Sequence, residues 1–118
     1  MTSWYFENFL TYLLTRNLQP ASYCASKGAA INLTRQVAID YAAHRIHVNA
    51  VCPGFLPTAM VRPFLEKKET SDMVHGITPW PDLGNADDVA KATLILASDA
   101  ASWMTGGMVQ VDGGITAK

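Results

Sequence analysis

Apolar residues recur at three- and four-residue intervals across residues 23–45, at Ala25, Ala29, Ala30, Leu33, Val37, Ala38 and Tyr41, which predicts one long helix. Ser22 is placed to cap its N-terminus. Gly28 inside a helix costs up to about 1 kcal/mol relative to Ala, which argues for a packing reason. The period then changes. Ile46 to Cys52 is a mostly apolar run, interrupted by His47 and Asn49 and bounded by Arg45 and Pro53-Gly54, as a largely buried parallel strand would be. His47 is expected at the strand entrance rather than in a site, and Asn49, within the buried run, is expected to bond backbone.

Pro53-Gly54-Phe55-Leu56-Pro57-Thr58 reads as a loop at the carboxyl end of that strand, where open α/β sheets place their ligands. Ala59 to Glu69 carries Met60, Val61, Phe64 and Leu65 on a short helical pattern, and a polar stretch follows from Glu66 to Asp72. Prolines punctuate the connection from Ile77 to Gly84. Asn85 then caps a helix with Asp87 and Asp88 in its first turn, where the helix dipole favours acids, and Val89, Ala90, Ala92, Thr93, Ile95 and Leu96 continue it. A short turn over Ser98 to Trp103 leads to Thr105-Gly106-Gly107, which reverses the chain into a last strand, Met108 to Val111, closed by Asp112-Gly113-Gly114. At the other end, Phe6, Phe9, Leu10, Leu13 and Leu14 would form the stripe of a helix from Glu7 to about Arg16. Helix and strand in alternation predict an α/β class with parallel strands and flanking helices.

Composition adds one qualification. Of 118 residues, 49% are hydrophobic and only 16% charged, against roughly 25% charged in an ordinary soluble domain. Helix faces that look like surface are therefore expected to be covered by something else. A net charge of -1 gives no electrostatic footprint for nucleic acid. No apolar stretch approaches the length of a membrane span, and no secretory leader is expected. Cys24 and Cys52, each expected to be a small buried side chain, make neither a disulfide framework nor a metal cluster, so no metal is expected and the cytoplasm is the expected location. Asp87 and Asp88 are not a metal pair either, because adjacent side chains do not face each other on a helix.

The candidate chemistry lies at the start of the long helix. Tyr23 and Lys27 are four residues apart, on one helix face. An ammonium beside a phenol favours the phenolate, which makes such a pair a proton-transfer device if a cleft surrounds it. Spacing alone far more often marks ordinary helix surface.

Tyr23-Cys24-Ala25-Ser26-Lys27 followed by Gly28-Ala29 resembles the active-site signature of the short-chain dehydrogenase/reductase family. Val48-Asn49-Ala50-Val51-Cys52-Pro53-Gly54 with Thr58, and Thr105-Gly106-Gly107 leading to Val111-Asp112-Gly113-Gly114, resemble the same family in the same order. The resemblance implies the C-terminal portion of a doubly wound, Rossmann-type fold. It implies hydride transfer between NAD or NADP and a carbonyl or secondary alcohol, with Tyr23 as acid/base and Lys27 as its activator and a ligand of the nicotinamide ribose. It further implies that Pro53, Gly54, Leu56 and Thr58 face the nicotinamide, and that residues 59–73 form a lid whose Met60, Phe64 and Met73 either approach an apolar substrate or pack the lid down. By the same resemblance, the 23–45 helix packs on a second subunit or on a full-length homologue.

Some of the family's parts are not in this sequence. No GxxxGxG or GxGxxG loop follows a strand, so no glycine turn brings backbone to a pyrophosphate at a helix N-terminus. Neither the family's asparagine-alanine-glycine motif nor an acid or base to read the adenosine ribose is present, so NAD and NADP stay undivided. Thr11 stands near where the family places a catalytic serine, but its flanks do not resemble that strand. Residues 1–20 thus read as an atypical N-terminal segment and 21–118 as a partial domain lacking the cofactor-binding half. The alternative to an enzyme is a non-catalytic truncated fragment or partial gene product that packs against a full-length homologue.

Overall fold

The computed structural model describes residues 2–6 and 21–117. In chain order it contains strand β1 (Thr2–Phe6), helix α1 (Ala21–Tyr41), strand β2 (His47–Pro53), helices α2 (Arg62–Leu65), α3 (Lys68–Ile77) and α4 (Ala86–Leu96), and strand β3 (Met108–Val111). The three strands form one parallel sheet in the order β1-β2-β3. Thr2 pairs with His47 and Phe6 with Val51 on one side, and Ala50 with Met108 and Pro53 with Val111 on the other. This is an α/β architecture with a parallel sheet flanked by helices, part of a Rossmann-type fold.

β2 is the middle strand, and its residues Val48, Asn49, Ala50, Val51 and Cys52 are all buried, so both of its faces are covered. Val51 packs with Val89, Leu96 and Ala101 around α4, and Leu56, Val109 and Val111 close that cluster. A second cluster gathers Phe55, Val61, Val74 and Ile115, with Leu65, Ile77 and Leu83 against it. Asn49 does bond backbone. Its Nδ2 donates to the Met104 carbonyl at 2.8 Å and its Oδ1 accepts from the Gly107 N–H at 3.0 Å. His47 is the half-buried first residue of β2, as expected, and Cys52 is buried. The side chain of Cys24 lies outside the described residues.

Several expectations need correction. α1 starts at Ala21, so Ser22 lies in its first turn rather than at its cap. It also ends at Tyr41 rather than running to 45. A 3₁₀ turn, Ala42–His44, follows, and Arg45 takes a left-handed φ of 58°. Its N–H bonds the Ala42 carbonyl at 2.9 Å, and that of Ile46 bonds the Tyr41 carbonyl at 3.4 Å, which together make a Schellman stop. Its inward stripe is Tyr23, Lys27, Ala30, Ile31, Thr34, Val37 and Ala38, whereas Ala25, Ala29, Leu33 and Tyr41 are exposed. Thr34 can be buried because its hydroxyl donates to the Ala30 carbonyl at 2.9 Å. A side chain at Gly28 would meet nothing within 4 Å, so no packing among the described residues explains that glycine.

The polar stretch from Glu66, for which no element was expected, is helical over Lys68–Ile77 and buries Val74. β1 was not expected, although Thr, Trp, Tyr and Phe all favour strands. The helix expected over Glu7 to Arg16, and Thr11 with it, lies outside the described residues. Among the described residues no helix is long and apolar enough to cross a membrane.

Asn49→Ala strands the part-buried Met104 carbonyl and Gly107 N–H, and it is expected to lower unfolding free energy by roughly 2–3 kcal/mol, read from urea melts of both chains.

Candidate active site

Topology carries Tyr23 and Lys27 to the carboxyl edge of the sheet. β1 and β2 are parallel and α1 is the crossover between them, so the N-terminus of α1 lies toward the end of β2 that carries Pro53. The 21 residues of α1 span about 30 Å and the 7 of β2 about 23 Å, so the first turns of the helix reach past the strand. Both side chains are half-buried. The Lys27 Nζ lies 5.5 Å from the centroid of the Tyr23 ring, within cation–π range. Ser26 turns its hydroxyl back to the Tyr23 carbonyl at 2.7 Å, which leaves the phenol side of this turn to Lys27.

The loop after β2 is tightly seated. The Gly54 N–H donates to the Val111 carbonyl at 2.9 Å, and a Cβ on Gly54 would lie 2.6 Å from the Asp112 Cα. Glycine is thus required there by close approach rather than by a turn angle. Pro53 and Leu56 are half-buried and line an apolar groove of about 560 Å³ along α4, with Ala86, Val89, Ala90 and Leu94. Gly84 admits Leu56, since a Cβ at 84 would come within 2.9 Å of its Cδ2. Thr58 is exposed, and its carbonyl accepts from the N–H groups of Val61 and Arg62 at 3.0 and 2.8 Å. Of the lid residues, Phe64 is half-buried, while Met60 and Met73 are 59% and 42% exposed. The lid is packed down by Val61, Leu65, Val74 and Ile77.

The expectations drawn from sequence did not include a second cavity, of about 540 Å³, on the other side of the loop, bounded by Gly54, Thr78, Trp80, Asp82, Asp88 and Asp112. The signal for it was present in Asp112-Gly113-Gly114. Gly113 and Gly114 have φ of 63° and 84°, which hold the chain in a turn that only glycine adopts readily. Burial alone would raise the Asp112 carboxyl, but bonds from the hydroxyl and N–H of Thr116 and from the Gly114 N–H outweigh it and hold the group below the usual carboxylate range. The acids at the start of α4 are capping groups, as expected. Asn85 Oδ1 accepts from the N–H groups of Asp87 and Asp88 at 2.9 and 3.2 Å, and Asp88 accepts from the Asn85 N–H at 2.9 Å. Among the described residues no three His, Cys, Asp or Glu gather to hold a metal ion.

A family model described as enoyl-(acyl carrier protein) reductase matches residues 10–116. The chain is 43% identical over 101 residues to 2-(S)-hydroxypropyl-CoM dehydrogenase 3 of Xanthobacter autotrophicus, covering 82% of this chain and 40% of that protein. It is 42% identical over 96 residues to galactitol 2-dehydrogenase (L-tagatose-forming) of Cereibacter sphaeroides, covering 81% of this chain and 38% of that one. A solved structure from Agrobacterium tumefaciens, designated a 2-deoxy-D-gluconate 3-dehydrogenase and carrying bound NADP, superposes with a TM-score of 0.90 at 27% identity. It takes in 99% of this chain and 47% of its own. The chain thus spans about two fifths of the curated relatives' length and about half of the solved structure's.

A carboxylate more acidic in the folded chain than in the unfolded one stabilises the fold above its unfolded pKa, about 3.9, and that contribution is lost as pH falls through the folded value. Chemical denaturation of the native chain and of Asp112→Asn is therefore expected to show a stability gap that is full at pH 6–7 and shrinks below about pH 4.

Proposed function

The chain belongs to the short-chain dehydrogenase/reductase family, and from that premise we propose that it carries the proton-transfer half of an oxidoreductase that exchanges a hydride between NAD or NADP and a carbonyl or secondary alcohol. The observation that carries the reading is the Tyr23–Lys27 pair, one helical turn apart at the carboxyl edge of the sheet, with the ammonium over the phenol ring. In reduction, the Tyr23 hydroxyl gives its proton to the carbonyl oxygen as the carbon gains a hydride. In oxidation, the same oxygen takes the proton back. We assign Lys27, whose Nζ lies over the phenol ring, as the partner of Tyr23 in this transfer and as the residue that bonds the nicotinamide ribose.

The residues present suit one end of the dinucleotide. Pro53 and Leu56 offer an open apolar wall, Gly54 sets the height of the loop, and the exposed Thr58 has a hydroxyl for a carboxamide or phosphate. When bound, the nicotinamide supplies or accepts the hydride. The start of α4, by contrast, is filled by its own Asn85 and Asp88 and repels a phosphate. In this scheme residues 21–118 act as the partial domain, and Met60, Phe64 and Met73 border a small apolar carbonyl or alcohol substrate. The cytosol is the compartment we propose, on the cysteine usage of the sequence.

A second reading is favoured by the outer face of α1, where Leu33 is 47% and Ile39 72% exposed and Gly28 faces open space. A helix apolar on both faces is built to be covered twice. In this reading the chain is non-catalytic and packs through α1 on a second copy or on a full-length homologue. The same face also suits a homo-oligomeric enzyme.

The test is titration of nicotinamide fluorescence with the purified chain, followed by turnover with a panel of ketones. Saturable NADH or NADPH binding is expected, and Tyr23→Phe is expected to leave it within about threefold while lowering kcat by roughly 10²–10⁴-fold. If no dinucleotide binds at millimolar concentration, catalysis by this chain alone is overturned. Leu33→Asp then tests the second reading by shifting the gel-filtration profile from dimer to monomer.

A further inference from the structure

Three segments remote in sequence meet at the end of β3. The loop leaving β2 rests directly on the Asp112 backbone, since a Cβ on Gly54 would lie 2.6 Å from its Cα and 2.9 Å from its carbonyl oxygen. The segment returning from the lid is bonded there through the Trp80 N–H, which donates to the Gly113 carbonyl at 3.0 Å. A Cβ at Gly113 would sit 3.0 Å from the Thr78 Cγ2 and 3.2 Å from the Trp80 Cβ. The lid core itself includes Ile115, buried beside Phe55, Val61 and Val74. The platform shared by these contacts is residues 112–116.

That platform has little stiffness of its own. Gly113 and Gly114 are consecutive left-handed glycines, the residues with the most backbone freedom to lose on folding. What holds them is the Asp112 side chain. Oδ1 accepts the Gly114 N–H at 2.9 Å, and Oδ2 accepts the Thr116 N–H at 3.0 Å and its hydroxyl at 2.7 Å. The carboxylate takes part in neither of the ion pairs found among the described residues, and the other ionisable groups bordering the same cavity, Asp82 and Asp88, are also acids. Its three bonds therefore come from dipoles of its own turn, and an amide in its place would present a donor where Thr116 offers donors.

We propose that Asp112 is a positioning residue for the Pro53–Thr58 loop. Its carboxylate freezes the 112–116 turn, the turn fixes the surface on which Gly54 rests, and that surface sets where Pro53, Leu56 and Thr58 stand. Gly84 limits the loop from the far side through Leu56, so the loop is held between two supports that a side chain would disturb. The consequence for chemistry rests on the reading of this loop as the seat of the nicotinamide. The positioning does not depend on that reading.

The test is amide hydrogen exchange, resolved by residue, on the 118-residue chain and on Asp112→Asn, Thr116→Val and Gly54→Ala. Asp112→Asn is expected to accelerate exchange at Gly54, Thr58, Trp80, Gly114 and Thr116 by about tenfold or more, with Ala50 and Gly106 within about twofold. Thr116→Val is expected to give the same pattern at smaller amplitude, and it keeps the proposal testable should the asparagine variant not fold. Gly54→Ala is expected to release Gly54 and Thr58 and spare Thr116. Uniform acceleration across the sheet amides, or unchanged exchange at Gly54 and Thr58, overturns the proposal. NADH or NADPH affinity, measured on the same variants, separates the two readings. Localised exchange with weakened affinity supports both, whereas localised exchange with unchanged affinity keeps the positioning role and removes the loop as the nicotinamide seat.

Discussion

The Asn49 side chain, wholly buried in the middle of the central strand, bonds the Met104 carbonyl and the Gly107 N–H on either side of the turn into β3. A buried amide is costly unless satisfied, and here a single arrangement of the neighbouring turn satisfies it. Two further bonds act on the same turn: the Gly106 N–H donates to the Val48 carbonyl at 2.6 Å, and the Val48 N–H to the Thr105 hydroxyl at 3.1 Å. Together they set the register of β3, because a slip of one residue would break all four. Register in turn places Val111 beside Pro53 and brings Asp112 under Gly54. The height of the candidate cofactor loop thus follows from a polar residue five positions before Gly54, in a run that is otherwise apolar.

The parts of this arrangement that were legible in the sequence are those where local chemistry has one good solution. Asn85 with Asp87 and Asp88 reads as a capped helix start, and the structure builds the reciprocal box at that point. Ile46 to Cys52 reads as a covered strand because it has too few polar residues for an exposed face, and β2 is buried on both sides. What stayed hidden is decided by partners distant in the chain. The inward stripe of α1 could not be told from its outer one, since Ala, Ile and Tyr occupy both and a threonine, Thr34, is among the most buried residues. Helix α3 was masked by its polarity, because only Val74 of its ten residues is buried. The roles of Gly54 and Asp112 were invisible for the same reason, as neither a close backbone approach nor a shared turn leaves a period in the sequence.

The outer face of α1 explains the low charge content better than the core does. The described residues bury Thr34 and Ala38 on one side of the helix, yet Leu33 and Ile39 are left in the open, with the exposed Arg35 and Gln36 between them in sequence. Exposed apolar side chains occur singly on any protein, and these two gain weight for the second reading only beside the small exposed residues Ala25, Gly28 and Ala29 of the same 21-residue helix. Gly28 points the same way: among the described residues the space beside it is empty, which suits the second reading, in which another surface approaches it closely.

The division of labour in the site follows from where the elements end. α1 reaches past β2, so Tyr23 and Lys27 stand at the sheet's carboxyl edge, the same edge from which Pro53 to Thr58 departs. A proton donor and a nicotinamide seat need this shared edge, and a parallel sheet with one crossover helix supplies it without any residue from β3. Holding a dinucleotide needs more, because its pyrophosphate requires bare N–H groups at a helix start. α4 begins beside the loop, but its first N–H groups are spent on Asn85, and Asp87 and Asp88 stand where a phosphate would have to come. The same capping box that fixes α4 against β2 therefore excludes it as the phosphate site. In the reading proposed above, proton transfer and phosphate binding therefore draw on different elements, and the described part of the fold supplies the first through Tyr23 and Lys27.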